Sequence, residues 1–177
     1  MDIDGQIDSL KKAIRDVPDF PKPGILFKDI TTLLKDPDAF RRALDLFTVL
    51  CGAARADKVV AVESRGFIVG SALALRLGVG FVPVRKPGKL PARTLRMAYD
   101  LEYGQDCVEI HEDAIAPGEA VLVVDDVIAT GGTARATGDL VEKMGGRVTA
   151  YAFLVELTFL DGRKRLGDRE VLSLIRY

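Results

Sequence analysis

The sequence predicts an α/β fold in which helices flank a mostly parallel central sheet. Short apolar runs rich in β-branched residues recur along the chain without polar alternation, as expected for strands buried on both faces of a parallel sheet. Helical patterns separate these runs, which is the order that parallel pairing requires. Small-residue loops follow two of the runs, directly at residues 63–66 and after an acidic pair at residues 129–133. Such loops at the carboxyl ends of parallel strands are typical binding sites.

Length and composition predict one soluble globular domain spanning residues 1–177. The chain is 48% apolar and 29% charged, with a formal charge of −1, so it has no basic field for nucleic acid. No apolar run is long enough for a membrane span, and the acidic N-terminus is unlike a signal peptide. Cys51 and Cys107 lack metal-site spacing; free thiols are the simplest interpretation, with a disulfide as the alternative. We therefore expect a cytoplasmic protein that binds neither nucleic acid nor a membrane.

The N-terminal third predicts helices on either side of an irregular connector. Apolar residues recur at helical spacing from Ile3 to Val17, and Pro18 ends that pattern. A proline- and glycine-rich connector occupies residues 20–24. Residues 31–36 can form a short helix, and Pro37 opens a longer one at its first turn.

The rest of the chain predicts strands that alternate with helices. Buried-type strands are expected at residues 58–62, 120–124 and 150–155, and further strands at residues 80–85 and 171–175. A half-exposed strand is expected at residues 107–112, where apolar and polar residues alternate. This strand carries His111, the single histidine, for which a surface or interface position is favoured over a catalytic one. A helix follows the loop at 129–133 and runs through Lys143, ending at a Gly-Gly pair.

The strand at residues 120–124 leads into a pattern that predicts a phosphate site. Two carboxylates, Asp125 and Asp126, precede a small-residue loop and a helix start. The loop comprises Ala129, Thr130, Gly131, Gly132 and Thr133. Glycines allow close backbone approach to an anion, and the helix N-terminus offers N–H donors with a positive dipole. Neither the Walker nor the dinucleotide-binding glycine pattern is present. Taken singly, an acidic pair can be a cap and a Gly-Gly pair a plain turn.

Two further segments carry groups that suit phosphate oxygens. Glu63, Ser64 and Arg65 follow the strand at 58–62, and the Arg65 guanidinium can form a two-pronged contact with an anion. A surface salt bridge is the alternative for Arg65. Cations cluster after the next strand, at Arg85, Lys86, Lys89 and Arg93. They predict either a solvated basic loop or a segment that neutralises a polyphosphate.

These motifs resemble those of type I phosphoribosyltransferases, which use phosphoribosyl pyrophosphate (PRPP). The string V-V-D-D-V-I-A-T-G-G-T is similar to the PRPP signature, E-S-R-G-F to the pyrophosphate loop, and R-K-P-G-K-L-P to the segment before the active-site loop. The resemblance implies that Asp125 and Asp126 hold the ribose hydroxyls and that residues 129–133 wrap the 5′-phosphate. It places residues 63–65 and the basic segment, residues 85–93, at the diphosphate. In this family, loops like the one at residues 63–65 often contain a cis peptide bond before a residue other than proline.

The string F-P-K-P-G-I-L-F-K-D-I-T-T-L-L-K-D-P resembles the hood that covers the base in adenine phosphoribosyltransferases. The resemblance implies a small hood at about residues 1–36 and a PRPP-binding core at about residues 37–160. Phe27 would stack on adenine, while the main chain of Leu26 and Lys28 would hydrogen-bond its edge. Glu102, in an active-site loop at about residues 94–104, would reach the purine and assist proton transfer.

The implied reaction converts adenine and PRPP to AMP and diphosphate, with Glu102 and Arg65 as catalytic residues. The implied cofactor is Mg²⁺, held mainly through PRPP and diphosphate with no direct protein ligand, and the implied assembly is a homodimer. Two alternatives stay open. One is a phosphoribosyltransferase for another base such as xanthine, which the hood string disfavours. The other is a non-enzymatic PRPP-sensing regulator, which the short, acidic segment before Phe20 disfavours because it cannot supply a DNA-binding module.

Overall fold

A computed structural model describes residues 3–100 and 104–177. The chain divides into two compact units, Met1–Phe47 and Thr48–Tyr177, each of which is described by itself. The sequence-based division into a hood at 1–36 and a core at 37–160 stays a prediction. None of the helices in the described ranges is long and apolar enough to cross a membrane.

The N-terminal unit contains a small antiparallel sheet that the sequence did not predict. Its elements, in chain order, are α1 (Ile3–Ala13), β1 (Arg15–Pro18), β2 (Leu26–Asp29) and α2 (Thr31–Leu34), followed by the start of α3 (Pro37–Cys51). Strands β1 and β2 pair in antiparallel register, with Val17 opposite Phe27. The expectation of a helix reaching Val17 was therefore wrong. Proline disfavours the helical conformation of the residue before it, so the chain becomes extended ahead of Pro18.

The second unit is built on a five-stranded parallel sheet. Its elements, in chain order, are β3 (Lys58–Val62), α4 (Arg65–Leu77), β4 (Gly80–Val84), β5 (Thr94–Asp100), β6 (Gln105–His111), β7 (Ala120–Ile128), α5 (Gly132–Lys143), β8 (Arg147–Glu156) and β9 (Val171–Arg176). The sheet order is β4-β3-β7-β8-β9, and each neighbouring pair is parallel. The predicted α/β fold with a mostly parallel sheet is thus confirmed. Short 3₁₀ turns lie at Gly52–Ala54, Thr158–Leu160 and Gly162–Leu166.

The core of this unit surrounds the two central strands. Residues 121–124 of β7 and 150–153 of β8 are fully buried, as expected for strands covered on both faces. Helix α4 packs on β3 and β7, whereas α5 packs on β7, β8 and the hairpin β5–β6. Strand β7 is longer than the predicted 120–124 and continues to Ile128, so Asp125 and Asp126 lie within the strand.

The segment expected to be an active-site loop, at about residues 94–104, is largely a β-hairpin. Strands β5 and β6 pair antiparallel, with Thr94 opposite His111 and Tyr99 opposite Asp106. The expectation of a loop across residues 94–100 was wrong, because alternating side chains there let one face of β5 pack on the core through Leu95, Met97 and Tyr99.

Candidate active site

Three neighbouring strands bring the predicted phosphate-binding segments to one edge of the sheet. Strands β4, β3 and β7 are adjacent and parallel, so their carboxyl ends point the same way. The basic segment follows β4, residues 63–65 follow β3, and the loop at 129–131 follows β7. The parallel topology therefore juxtaposes segments that lie far apart in the sequence.

The loop after β7 leads directly into α5, and together they form an anion-binding geometry. Gly131 adopts a left-handed conformation (φ +80°) at the N-cap of α5, and its carbonyl accepts a hydrogen bond from the Arg135 N–H at 2.9 Å. A cavity of about 100 Å³ is lined by Asp125, residues 127–134 and Phe153. The first turn of α5 supplies N–H donors and the positive end of the helix dipole to this cavity.

The loop depends on a close backbone contact with the 3₁₀ turn Gly162–Leu166. A Cβ atom on Gly131 would overlap the Gly162 carbonyl oxygen and lie 3.2 Å from the Gly162 carbonyl carbon. A Cβ atom on Gly162 would in turn overlap the Ala129 carbonyl oxygen. Both positions therefore require glycine, because the two backbones touch without room for a side chain.

The acidic pair lies beside the first turn of α4. Asp126 is 5% exposed and accepts a 2.5 Å hydrogen bond from Arg65 Nε. The Asp126 N–H donates to Asp125 Oδ1 at 2.8 Å. Burial, reinforced by the neighbouring Asp126 charge, raises the pKa of Asp125 well above its ordinary value. A Cβ atom on Gly66 would lie 2.6 Å from Asp125 Oδ1, so glycine there lets α4 begin against the carboxylate.

Glu63 ties the loop after β3 to the basic segment after β4. Its two carboxylate oxygens accept hydrogen bonds from Arg85 Nε and Lys89 Nζ, each at 2.7 Å. Burial acts to raise the pKa of Glu63, but the bonds from Lys89 and Arg85 outweigh burial and lower the pKa. The peptide bond between Glu63 and Ser64 is cis. Arg85 and Lys89, predicted as phosphate ligands, are thus ion-paired to a neighbouring acid in this structure.

Lys86 forms a cluster with two residues of the hairpin that the sequence analysis missed. Its Nζ bonds to Tyr99 Oη at 2.9 Å and is ion-paired with Asp106. Tyr99 Oη also donates to Asp106 Oδ2 at 3.1 Å. Burial acts to lower the pKa of Lys86, but the bonds to Asp106 and Tyr99 outweigh it and raise the pKa. The alternation in residues 94–100 and 105–111 was the available signal, because it is typical of two half-buried strands that can pair as a hairpin.

A third residue missed in this region is Glu109, a carboxylate that is 2% exposed. It accepts two hydrogen bonds from Arg96, at 2.6 and 3.1 Å, and one from the Gly88 N–H at 3.0 Å. The main chains of Arg85 and Glu109 also exchange two hydrogen bonds. Glu109 therefore anchors the basic segment to the hairpin.

Most of the predicted PRPP-binding side chains border a single cleft. This cleft measures about 280 Å³ and is lined by residues 62–65, Lys86, Tyr99, residues 125–127 and Thr133. The acidic pair, the residues after β3 and one cation of the basic segment thus face the same space. The combination suits a sugar phosphate that carries further phosphates, since carboxylates accept hydroxyl donors and cations neutralise anions.

The predicted base-binding residues lie on β2, in the N-terminal unit. The Phe27 ring packs edge-on against Phe20, with 5.1 Å between the ring centroids, and Lys28 Nζ bonds to Asp16 at 2.6 Å. Pro18, opposite Leu26, has no N–H, so that pair cannot exchange two hydrogen bonds. The peptide groups of Leu26 and Lys28 consequently point to the edge of β2 away from β1. Glu102, the predicted proton-transfer residue, lies outside the described residues.

Comparison with known proteins places this geometry in a family. The family model of the phosphoribosyl transferase domain matches residues 42–172. An adenine phosphoribosyltransferase from Nostoc punctiforme is 55% identical over 170 residues, which cover 95% of this chain and 99% of that protein. The crystal structure of adenine phosphoribosyltransferase from Thermoanaerobacter pseudethanolicus superposes with a TM-score of 0.95 at 53% identity, covering 97% and 99% of the two chains. The Saccharomyces cerevisiae enzyme, crystallised with an imino-altritol bisphosphate and adenine, gives a TM-score of 0.92 at 44% identity, with the same coverage.

Proposed function

We propose that this chain, which belongs to the adenine phosphoribosyltransferases of the phosphoribosyltransferase family, transfers the phosphoribosyl group of PRPP to adenine and releases AMP and diphosphate. The observation that carries the proposal is the cleft shared by residues 63–65, Lys86 and the acidic pair, beside the loop cavity at the start of α5. The two carboxylates suit the ribose hydroxyls of PRPP, and the cations and the loop suit its phosphates.

The ribose 5-phosphate half of PRPP occupies the loop and the acidic pair. The loop at residues 129–133 and the N-terminus of α5 bind the 5′-phosphate. Asp125 and Asp126 accept hydrogen bonds from the ribose hydroxyls, which orients the ring for attack at C1. When the C1–O bond breaks, positive charge develops on the ribose, and the two carboxylates lie where they stabilise it.

The diphosphate half is stabilised by cations as it departs. Arg65 and Lys86 line the cleft, while Arg85 and Lys89 are ion-paired with Glu63, which also lines it. Arg65 contacts the leaving diphosphate and is therefore a catalytic residue in this proposal. Glu63 fixes Arg85 and Lys89, and the backbone of residues 63–65 supplies donors at the same edge.

Mg²⁺ fits this cleft as an ion that is bound mainly through the diphosphate. Within residues 3–100 and 104–177 no group of three or more carboxylate, histidine or cysteine side chains is placed to hold a metal ion. Mg²⁺ takes most of its ligands from substrate phosphates and water at sites of this kind, so it needs no direct ligand from Asp125 or Asp126, which hold the ribose. When bound, Mg²⁺ neutralises charge on the leaving diphosphate.

Adenine is read by main-chain groups of β2. Its N6 amino donor and N1 acceptor match one C=O and one N–H, which we assign to Leu26 and Lys28, with Phe27 stacked on the ring. Adenine attacks the ribose from the face opposite diphosphate and loses its N9 proton. Glu102 assists this loss through a ring nitrogen, as the resemblance implies.

The decisive experiment measures diphosphate release from PRPP with adenine, hypoxanthine, guanine and xanthine in parallel. Hypoxanthine presents O6 as acceptor and N1–H as donor, so it opposes both main-chain groups. Because each unpaired buried polar group costs roughly 1–3 kcal/mol, we expect kcat/KM to favour adenine by about a thousandfold. Lys28→Arg should leave this preference intact, since the Lys28 side chain is held by Asp16 and the contact is main chain. Use of hypoxanthine within about tenfold of adenine would refute main-chain recognition, and PRPP binding without turnover of any base would refute the activity.

We also propose a homodimer in the cytoplasm. A two-fold dimer is the commonest symmetric assembly, and free Cys51 and Cys107 suit a reducing compartment. Light scattering at micromolar concentration tests the assembly, and a monomer mass would contradict it.

A further inference from the structure

We propose that Glu156 and Arg163 are positioning residues that hold the loop at 129–133 in its phosphate-binding conformation, acting through Gly162. The inference rests on the proposed function, because it assigns a role toward the 5′-phosphate of PRPP. Neither residue belongs to the predicted site, and neither lines the cavity at the start of α5.

Glu156 is a buried carboxylate at the last position of β8, only 4% exposed. In the sheet register it stands opposite Ile128 on one side and Arg176 on the other. Ile128 is the last residue of β7, and the proposed phosphate loop, residues 129–133, begins at the next residue. The Leu157 N–H also donates to the Ile128 carbonyl at 3.0 Å. Glu156 is thus placed where the sheet ends and the loop starts.

Arg163 satisfies this carboxylate and fastens the 3₁₀ turn Gly162–Leu166 to the sheet. Its Nε and Nη2 bond to the two oxygens of Glu156, at 2.5 and 2.8 Å. Its Nη1 bonds to the Val171 carbonyl at 2.8 Å, and Nη2 also contacts Ser173 Oγ at 3.3 Å. A two-pronged arginine–carboxylate pair fixes direction as well as distance. One guanidinium therefore links β8, β9 and the turn in a single geometry.

Gly162, the residue next to Arg163, carries this constraint to the phosphate loop. Its backbone packs on Ala129 and Gly131 so closely that neither glycine tolerates a Cβ atom. Leu166, at the other end of the turn, is fully buried in the core. The turn is therefore anchored at both ends, and a displacement of Arg163 moves the surface against which the loop rests.

The charge state of Glu156 is consistent with this role. Burial acts to raise its pKa, but the hydrogen bonds from Arg163 and Ser173 outweigh burial and lower the pKa to about 2. Glu156 is consequently ionised at neutral pH, where its pair with Arg163 is complete. Arg176 is a second cation on Glu156, and its Nε lies 3.1 Å from Glu156 Oε2.

The test compares Glu156→Gln and Arg163→Lys with Glu142→Gln. The first variant removes the charge, and the second keeps the charge but loses the planar fork. The control breaks an ion pair between Glu142, in the last turn of α5, and Arg169. The readouts are calorimetric binding of ribose 5-phosphate, initial rates and thermal unfolding, with binding and rates measured where every variant is folded.

We expect the two test variants to weaken ribose 5-phosphate binding and raise KM for PRPP by about tenfold to a hundredfold. KM for adenine should stay within about twofold of the unmodified value, because the phosphate loop alone is disturbed. Glu142→Gln should change neither phosphate-dependent quantity. A lower melting temperature alone does not explain this pattern, since a purely structural role would affect both substrates alike.

Ribose 5-phosphate affinity unchanged in both test variants would overturn the inference, whatever their melting temperatures. Should Glu156→Gln fail to fold, Arg163→Lys alone decides the question, since it retains both charges. Failure of the unmodified chain to bind ribose 5-phosphate would overturn the proposed function and this inference together. Normal binding by that chain and by both variants would overturn the inference only.

Discussion

Replacing Gly131 by alanine perturbs the proposed phosphate loop, residues 129–133, in two ways that the structure separates. Gly131 has φ +80°, a conformation that L-residues with a Cβ atom adopt only at a cost. The new Cβ atom would also overlap the Gly162 carbonyl oxygen and lie 3.3 Å from Arg165 Cβ. Since the Gly162 atoms are backbone, the overlap cannot be relieved by rotating a side chain.

The two costs can be given magnitudes. A left-handed conformation costs a non-glycine residue roughly 1–2 kcal/mol. Forcing an extra carbon into a packed backbone contact adds about 1–3 kcal/mol. The free energy of unfolding should therefore fall by about 2–5 kcal/mol, which corresponds to a melting temperature lower by roughly 5–15 °C for a chain of this size.

Gly78→Ala is the matched control, because it isolates the first cost. Gly78 caps α4 at φ +70°, and a Cβ atom there meets nothing within 4 Å among the described residues. Its unfolding free energy should fall by only about 1–2 kcal/mol, with KM for PRPP unchanged. Gly131→Ala should raise KM for PRPP by about tenfold or more, because the loop must move off Gly162. Equal destabilisation by the two variants, with unchanged KM in both, would refute the close-contact argument.

Three further predictions concern the acidic pair, Arg65 and acid stability. The double variant Asp125→Asn, Asp126→Asn should fold but lose about 2–5 kcal/mol of PRPP binding measured by calorimetry; near-normal kinetics would contradict the assignment. Arg65→Ala should lower kcat/KM for PRPP but leave AMP affinity nearly unchanged, because AMP has no diphosphate; an equal loss for both ligands would show that Arg65 acts through Asp126. The pKa of Glu156 is about 2 in the folded protein and 4.5 in the unfolded chain, so the ionised carboxylate stabilises the fold at pH values above 4.5. This contribution of roughly 2–4 kcal/mol is lost as the pH falls toward about 2. Urea unfolding between pH 7 and pH 3 should therefore show a steeper loss for the unmodified chain than for Glu156→Gln, and parallel curves would exclude the effect.

Local patterns predicted much of the fold, because a strand buried on both faces consists of consecutive apolar residues. The strand Lys58–Val62 is where its apolar run predicts it, and β7 and β8 are buried on both faces as their composition requires. The errors arose where a residue's partner lies elsewhere in the chain. Val17 continues the helical spacing of α1, yet it lies in a strand whose partner, Phe27, is ten residues further along the chain. The hairpin at residues 94–111 was missed although both of its strands alternate.

The sequence by itself determined the chemistry of the candidate site, since the acidic pair, the glycine loop and the cations after β4 are contiguous motifs. Only the tertiary structure decided how these groups are held. Glu63 binds the cations of another segment, Lys86 is paired across the hairpin with Asp106, and Gly131 rests on Gly162. These contacts join residues 20 to 31 positions apart, and their distances are set by strand order and register. No local spacing of residue types encodes that geometry, because it exists only once the parallel sheet has formed.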